Sequence, residues 1–247
     1  MCKIGRYNLC PNVVFLSAPP INGTFCDYLC IDENFVFPIP DSLSFEDAAL
    51  AEPLAVAIHT MNRVHVRAGE TGVIVGAGPI GLLVLQAFKA AGGGKAICVD
   101  LIKSRLNTAM ELGADEVIIP GSAADNGASG DSAINNIGDV VFETAGSKKA
   151  TSQLFHMAKP GGRVVQVGWP NGNVVELDVA VLLDKELDYI AVNRYANVFE
   201  TAITWLADGR IKTKGIITQR YSFNNAPEAF DWALNNPQDT VKVIVEN

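Results

Sequence analysis

Three glycines and one carboxylate stand at the spacing of a dinucleotide cradle. Within "VIVGAGPIGLLVLQAFKAAGGGKAICVD", residues 73–100, Gly76, Gly78 and Gly81 form a Gly-x-Gly-x-x-Gly pattern that encloses Pro79 and Ile80, and Asp100 follows Gly81 by 19 residues. In such a pattern the first glycine permits a tight turn, the second lets a pyrophosphate approach the backbone, and the third lets a helix pack closely on a strand. The free N–H groups at the helix start then face the phosphates. Taken alone, the glycines read equally well as turns at a strand end. The acid adds weight, because an offset of about 20 residues is expected of a carboxylate that holds an adenosine ribose. Asp100 would accept from the ribose hydroxyls and repel a 2′-phosphate, favouring NAD over NADP, while Lys103 and Arg105 stand near enough in sequence to soften that preference.

That chemistry needs strand, turn, helix and second strand in order. "VIV" is short and β-branched, as a buried parallel strand should be; Ile80, Leu83, Val84, Ala87 and Ala91 recur at helical spacing; "KAICVD" supplies the second strand. A membrane span is a poor alternative, because the apolar run at 73–88 falls short of the roughly 20 residues required and carries three glycines and a proline in its first nine residues. The alternation continues with a helix through "KSRLNTAMELGA" stopped at Gly113, strands "EVII" and "DVVFET", a helix through "KKATSQLFHMA" and a strand "RVVQVG". This order predicts an α/β fold with a doubly wound parallel sheet. Residues 121–136 are polar and glycine-rich and read as a surface loop.

The flanks differ. Residues 11–40 hold five prolines among short apolar runs and read as an irregular β region. In the tail, Asn197 and Glu200 stand at capping-box spacing before a helix stopped by Gly209; a second helix opens at "NAPEAF" and "VKVIV" reads as a last strand. A central domain over 53–192 is expected, bracketed by pieces 1–52 and 193–247 that fold together.

Composition narrows the partners. The 247 residues, 49% of them hydrophobic, can bury a substantial core. A formal net charge of −8, with no opposing cluster of Lys and Arg, provides no footprint for nucleic acid or an anionic membrane, which leaves a small molecule. Met1 runs directly into the mixed segment "CKIGRYNLCPN", unlike a secretory signal, so a cytoplasmic chain is expected. Cysteines at 2, 10, 26, 30 and 98 read as reduced thiols or metal ligands rather than a disulfide framework.

The segments "CKIGRYNLCP", "GTFCDY", "AEPLAVAIH", "VGAGPIGLL", "VDLIKSRL", "ELGADEVI" and "NRYAN" together resemble the medium-chain dehydrogenase/reductase family, in particular its sorbitol and xylitol dehydrogenase branch. The resemblance spans nearly the whole chain. It implies a Rossmann domain beside a GroES-like β-rich catalytic domain, and zinc-dependent, NAD-linked oxidation of a secondary alcohol to a ketone. It further implies that Glu52 lies at or beside the catalytic zinc, and that Cys2 and Cys10 match the last two ligands of a C-x2-C-x2-C-x7-C structural zinc lobe. The family's other zinc ligands fall upstream of Met1, so the chain reads as lacking the N-terminal part of the catalytic domain.

On the cofactor side the resemblance places Gly76, Gly78, Pro79, Ile80 and Gly81 at the pyrophosphate, with Asp100 and Arg105 on the adenosine ribose. Thr144, Val167, Gly168 and Trp169 line the strand ends where nicotinamide lies, Val192, Asn193 and Arg194 close over it, and Arg194 and Tyr195 reach the hydroxyls of a polyol substrate. A homo-oligomer is a further family expectation. By contrast, His59, His65 and His156 have no second ligand at helical spacing and read as packing or surface residues. Cys26 and Cys30, in "FCDYLCI", read as two packing residues on one face of a strand.

Two functions follow. One is a polyol dehydrogenase whose chain, short of zinc ligands, binds NAD and is weakly active or inactive alone. The other is a non-catalytic NAD-binding or oligomerisation module derived from such an enzyme. Both expect uncovered apolar surface around residues 11–60 and the tail.

Overall fold

The computed structural model describes residues 1–121 and 134–246, so most of the loop expected at 121–136 lies outside it. Helices α1 (Phe45–Ala48) and α2 (Ala51–Val64) lead into β1 (Gly72–Val75), α3 (Pro79–Ala90), β2 (Ala96–Val99), α4 (Lys103–Glu111) and β3 (Glu116–Ile118). After them come β4 (Gly138–Glu143), α5 (Lys148–Met157), β5 (Ala158–Gln166), α6 (Val179–Asp184) and β6 (Asp188–Ala191). The tail forms α7 (Phe199–Ala207), β7 (Ile217–Ser222), α8 (Ala226–Asn235) and β8 (Lys242–Glu246).

Strands β1 to β6 build one parallel sheet in the order β3-β2-β1-β4-β5-β6. Every residue of β1 and β2 is buried, as strands covered on both faces must be. Successive side chains go to opposite layers: Ile74, Cys98, Val140 and Phe142 pack with α2, α3, α4 and α7, while Val73, Val75, Val99 and Val141 pack with α5. Helix α3 is buried continuously from Gly81 to Phe88 rather than along one stripe, because the sheet lies on one side of it and α2 on the other. The chain order reverses between β1 and β4, and such a switch point opens a crevice at the carboxyl ends of the strands.

Several flanking features depart from expectation. Residues 11–40 contain no strand; they run as turns and extended coil with one short 3-10 helix, Glu33–Phe35. "FCDYLCI" therefore makes no strand face: Cys30 is exposed, and the half-buried Cys26 thiol lies 3.2 Å from the Tyr28 carbonyl. A strand needs a neighbour to complete its ladder, and among the described residues outside the large sheet only β7 and β8 pair. The segment packs on the tail instead, with the Phe25 ring 5.4 Å from that of Phe230, and Phe37 4.7 Å from Phe199.

Asn197 does not cap α7. The N-cap is Val198, without a side-chain bond, while the left-handed Asn197 donates its side-chain amide to the Gly5 carbonyl at 2.8 Å. The predicted stop holds, since Gly209 has φ +77° just past the helix end. Helix α6 and strand β6 were not anticipated; β6 is an edge strand with mostly exposed residues, so it lacks the apolar run of its neighbours. Apolar surface is uncovered where expected, with Tyr28 94% and Phe45 87% exposed. Among the described residues no helix is long and apolar enough to cross a membrane.

Candidate functional site

The glycine turn connects β1 to α3 at the mouth of the crevice. Gly76 has φ +101°, a conformation that side chains with a Cβ rarely adopt. A Cβ on Gly81 would lie 1.8 Å from the Gly76 carbonyl oxygen, so the helix can approach the turn only without one. Gly78 differs: a Cβ there would make only an ordinary van der Waals contact, with Arg105 Nη1 at 3.8 Å. Gly76 and Gly81 thus have the turn and close-packing geometry expected of the pattern, and the uncrowded Cβ side of Gly78 would admit a pyrophosphate. Pro79 occupies the first turn of α3, where its missing N–H costs nothing, and no side chain caps that helix start.

Asp100 follows β2 and braces the same turn. Its Oδ2 accepts the Ala77 N–H at 2.6 Å, and its Oδ1 accepts the Ile102 N–H at 2.8 Å. Arg105, in the first turn of α4, donates to the carbonyls of Pro237 at 3.1 Å and Thr240 at 3.0 Å, and its Nε is buried without a partner. The guanidinium is thus tied to the tail while one edge faces Gly78.

Across the switch point, the Thr144 hydroxyl lies 2.9 Å from the carbonyls of both Val75 and Gly76, fastening β4 to the glycine turn. Val167 and Gly168, at the end of β5, donate their N–H groups to the Glu143 carbonyl. Trp169 is exposed, with its indole N–H 2.8 Å from Asn173 Oδ1. Val192 donates to the Gln166 carbonyl at 3.0 Å.

A polar group gathers where the N-terminal segment meets residues 193–197. Asn8 donates its side-chain amide to the Asn193 carbonyl at 2.9 Å, Arg194 Nη1 donates to the Asn8 carbonyl at 3.3 Å, and the Asn197 N–H donates to the Tyr7 hydroxyl at 2.7 Å. The Arg194 guanidinium also lies over the Phe15 ring at 5.1 Å. Burial, then the neighbouring Glu52 and Tyr7, push the Tyr195 phenol up to about 12. Glu52, in the first turn of α2, presents an exposed surface, yet desolvation by its surroundings raises its carboxyl pKa against the opposing pull of Lys242. Glu52 and Tyr195 are thereby within electrostatic reach of each other, although 143 residues separate them in sequence.

Two residues with large structural roles escaped sequence reasoning: Asn8, buried with its Oδ1 unpartnered, and Glu143, wholly buried. The signal for Glu143 was an acid closing the apolar run "VVF".

Zinc fits the described residues poorly. Among them no group of three or more His, Cys, Asp and Glu is arranged to hold a metal ion. Cys2 is exposed and Cys10 half-buried, both as free thiols, and a structural zinc requires four ligands. His65 is exposed, His156 lies 3.8 Å from Asp178, and the half-buried His59 is pushed down by desolvation and by Arg63 and Arg6.

Residues 79–208 match the family model described as "Zinc-binding dehydrogenase". The chain belongs to that family. Sorbitol dehydrogenase of Bacillus subtilis (strain 168) is 40% identical over 254 residues, covering 99% of this chain and 69% of the relative. D-xylulose reductase of Saccharomyces cerevisiae is 36% identical over 250 residues, covering 99% and 70%. Among solved structures, an Escherichia coli CFT073 protein described as a short chain alcohol dehydrogenase, complexed with NADH, superposes with a TM-score of 0.90 at 25% identity, covering all of this chain and 72% of that one. The chain is thus placed among the medium-chain oxidoreductases, in the branch of the sorbitol and xylitol enzymes.

Proposed function

We propose that this chain binds NAD across the carboxyl ends of its sheet and forms the cofactor half of a polyol dehydrogenase site, for a secondary alcohol of the sorbitol or xylitol type. The observation that carries the reading is the cradle at the switch point: an open Gly78 between a left-handed Gly76 and a closely packed Gly81, braced by Asp100. Bound there, NAD supplies the acceptor for a hydride from the alcohol carbon. Gly76, Gly78, Pro79, Ile80 and Gly81 receive the pyrophosphate, and Asp100 and Arg105 the adenosine ribose. Thr144, Val167, Gly168 and Trp169 border the nicotinamide, with Val192, Asn193 and Arg194 closing over it.

At the substrate end, Arg194 and Tyr195 donate to polyol hydroxyls. With its phenol pushed up to about 12, Tyr195 keeps its proton at neutral pH and serves as a hydrogen-bond donor rather than a base. Glu52 stands beside it as an acceptor. The working division is a Rossmann unit over 53–192 and a catalytic unit from 1–52 and 193–247, in a cytoplasmic homo-oligomer.

Since the described residues assemble no metal ligand set of their own, the chain alone is expected to bind NADH and to oxidise polyols negligibly. Purified chain is titrated with NADH by fluorescence, then assayed with xylitol with and without a chelator. Absence of NADH binding refutes the cofactor reading, and chelator-sensitive xylitol oxidation refutes the expected inactivity. The same missing ligand set favours a second reading, a non-catalytic NAD-binding or oligomerisation module, and mass measurement with and without NADH separates a monomer from an assembly.

A further inference from the structure

Glu143 ends β4 with no exposed surface. A buried carboxylate is costly unless its oxygens are hydrogen bonded, and here every partner is a neutral dipole. Oε1 accepts the Ala145 N–H at 3.0 Å, and the N–H groups of Gly146 and Ser147 also act on the carboxylate. Oε2 accepts the Gln166 side-chain amide at 2.7 Å. Gln166 in turn donates to the Gly168 carbonyl at 2.7 Å and accepts from the Tyr189 hydroxyl at 3.2 Å. A Cβ on Gly168 would lie 2.5 Å from Glu143 Oε2, and one on Gly146 would lie 2.8 Å from the Trp169 carbonyl oxygen. The turns 144–147 and 167–169 are therefore packed on each other around one carboxylate.

The placement of this network is specific. Both turns are at the carboxyl ends of β4 and β5, on the far side of the switch point from Asp100. We infer that Glu143 is a positioning residue for the nicotinamide half of the cofactor, its carboxylate setting the two turns that border it; this rests on the NAD reading above. A carboxylate suits the position because all its contacts come from donors. An amide there turns an N–H group toward either the backbone donors or the Gln166 amide, leaving buried donors unpaired. The turns then have to move, whereas the bonds of Asp100 to the Ala77 and Ile102 N–H groups involve neither turn.

The test compares a whole cofactor with its adenosine half. Wild-type chain, Glu143→Gln and Gln166→Met are titrated with NADH by fluorescence and with AMP by calorimetry. Glu143→Gln is expected to weaken NADH about 10- to 100-fold and leave AMP binding unchanged. Gln166→Met breaks the same link from the other side and is expected to show the same selective loss. If Glu143→Gln fails to fold, Gln166→Met decides alone. Variants that bind NADH as wild type does overturn the inference, and so do variants that lose AMP and NADH in equal measure, the mark of a general structural role. Wild-type chain that binds neither ligand overturns the NAD reading and this inference with it.

Discussion

Gly81→Ala tests the cradle most directly. The added Cβ starts 1.8 Å from the Gly76 carbonyl oxygen and must retreat beyond the 3.0 Å within which such contacts are essentially never seen, a displacement of about 1.2 Å. The atoms it meets are backbone and the Thr144 hydroxyl, itself tied to the Val75 and Gly76 carbonyls, so no flexible side-chain end can yield. Overpacking of this kind costs about 1–3 kcal/mol, and a backbone obstacle places it at the upper end. For a chain of this size, about 3 kcal/mol lowers Tm by about 6–12 °C. Gly78→Ala is the internal control. With φ −76° and only an ordinary contact with Arg105 at its Cβ, it should leave Tm within about 2 °C, as a residue that strains nothing does, yet weaken NADH by filling the approach of the pyrophosphate. Scanning calorimetry and NADH fluorescence on both variants check the pair. A Gly81→Ala chain as stable as wild type, or a Gly78→Ala chain that loses stability and keeps NADH affinity, refutes the assignment of the two glycines.

Three further outcomes are expected. Asp100→Ala should weaken NADH about tenfold or more and narrow the preference over NADPH, read from paired titrations, because the ribose acceptor and the charge that repels a 2′-phosphate leave together. Arg163 and Glu70 form an ion pair only 9% and 13% exposed, with Arg163 also donating to the Val64 and His65 carbonyls. Arg163→Met should cost about 3–5 kcal/mol in urea unfolding by stranding Glu70, and adding Glu70→Leu should restore much of it. The Asp115 carboxyl is held below its usual 3.8 by the Ala96 N–H and then by Lys89. Its folded pKa is below its unfolded one, so its contribution is present above pH 3.8 and lost as pH falls through the lower folded value. Asp115→Asn should flatten the acid limb of stability against pH, and an unchanged slope counts against it.

The alternation of strands and helices, the parallel sheet and the glycine turn with Asp100 were legible in the sequence because their signals are local: period-two and helical spacing, β-branched runs, and glycines where backbone sterics demand them. Family segments such as "AEPLAVAIH" and "NRYAN" marked Glu52, Arg194 and Tyr195 as candidates, and the fold brings Glu52 and Tyr195 within electrostatic reach of each other. Residues whose partners lie far along the chain were not legible. Asn197 has the spacing of a cap but is drawn to Gly5, 192 residues away, and "FCDYLCI" has strand-like alternation but, among the described residues, no neighbouring strand to pair with. Edge strand β6 owes its place to its pairing with β5, since its exposed residues write no buried run. Glu143 shows the division most clearly: its sequence context says only that an acid ends a strand. Which donors surround that acid, and which two turns it holds together, depends on β4 and β5 lying side by side, and tertiary packing alone decides that.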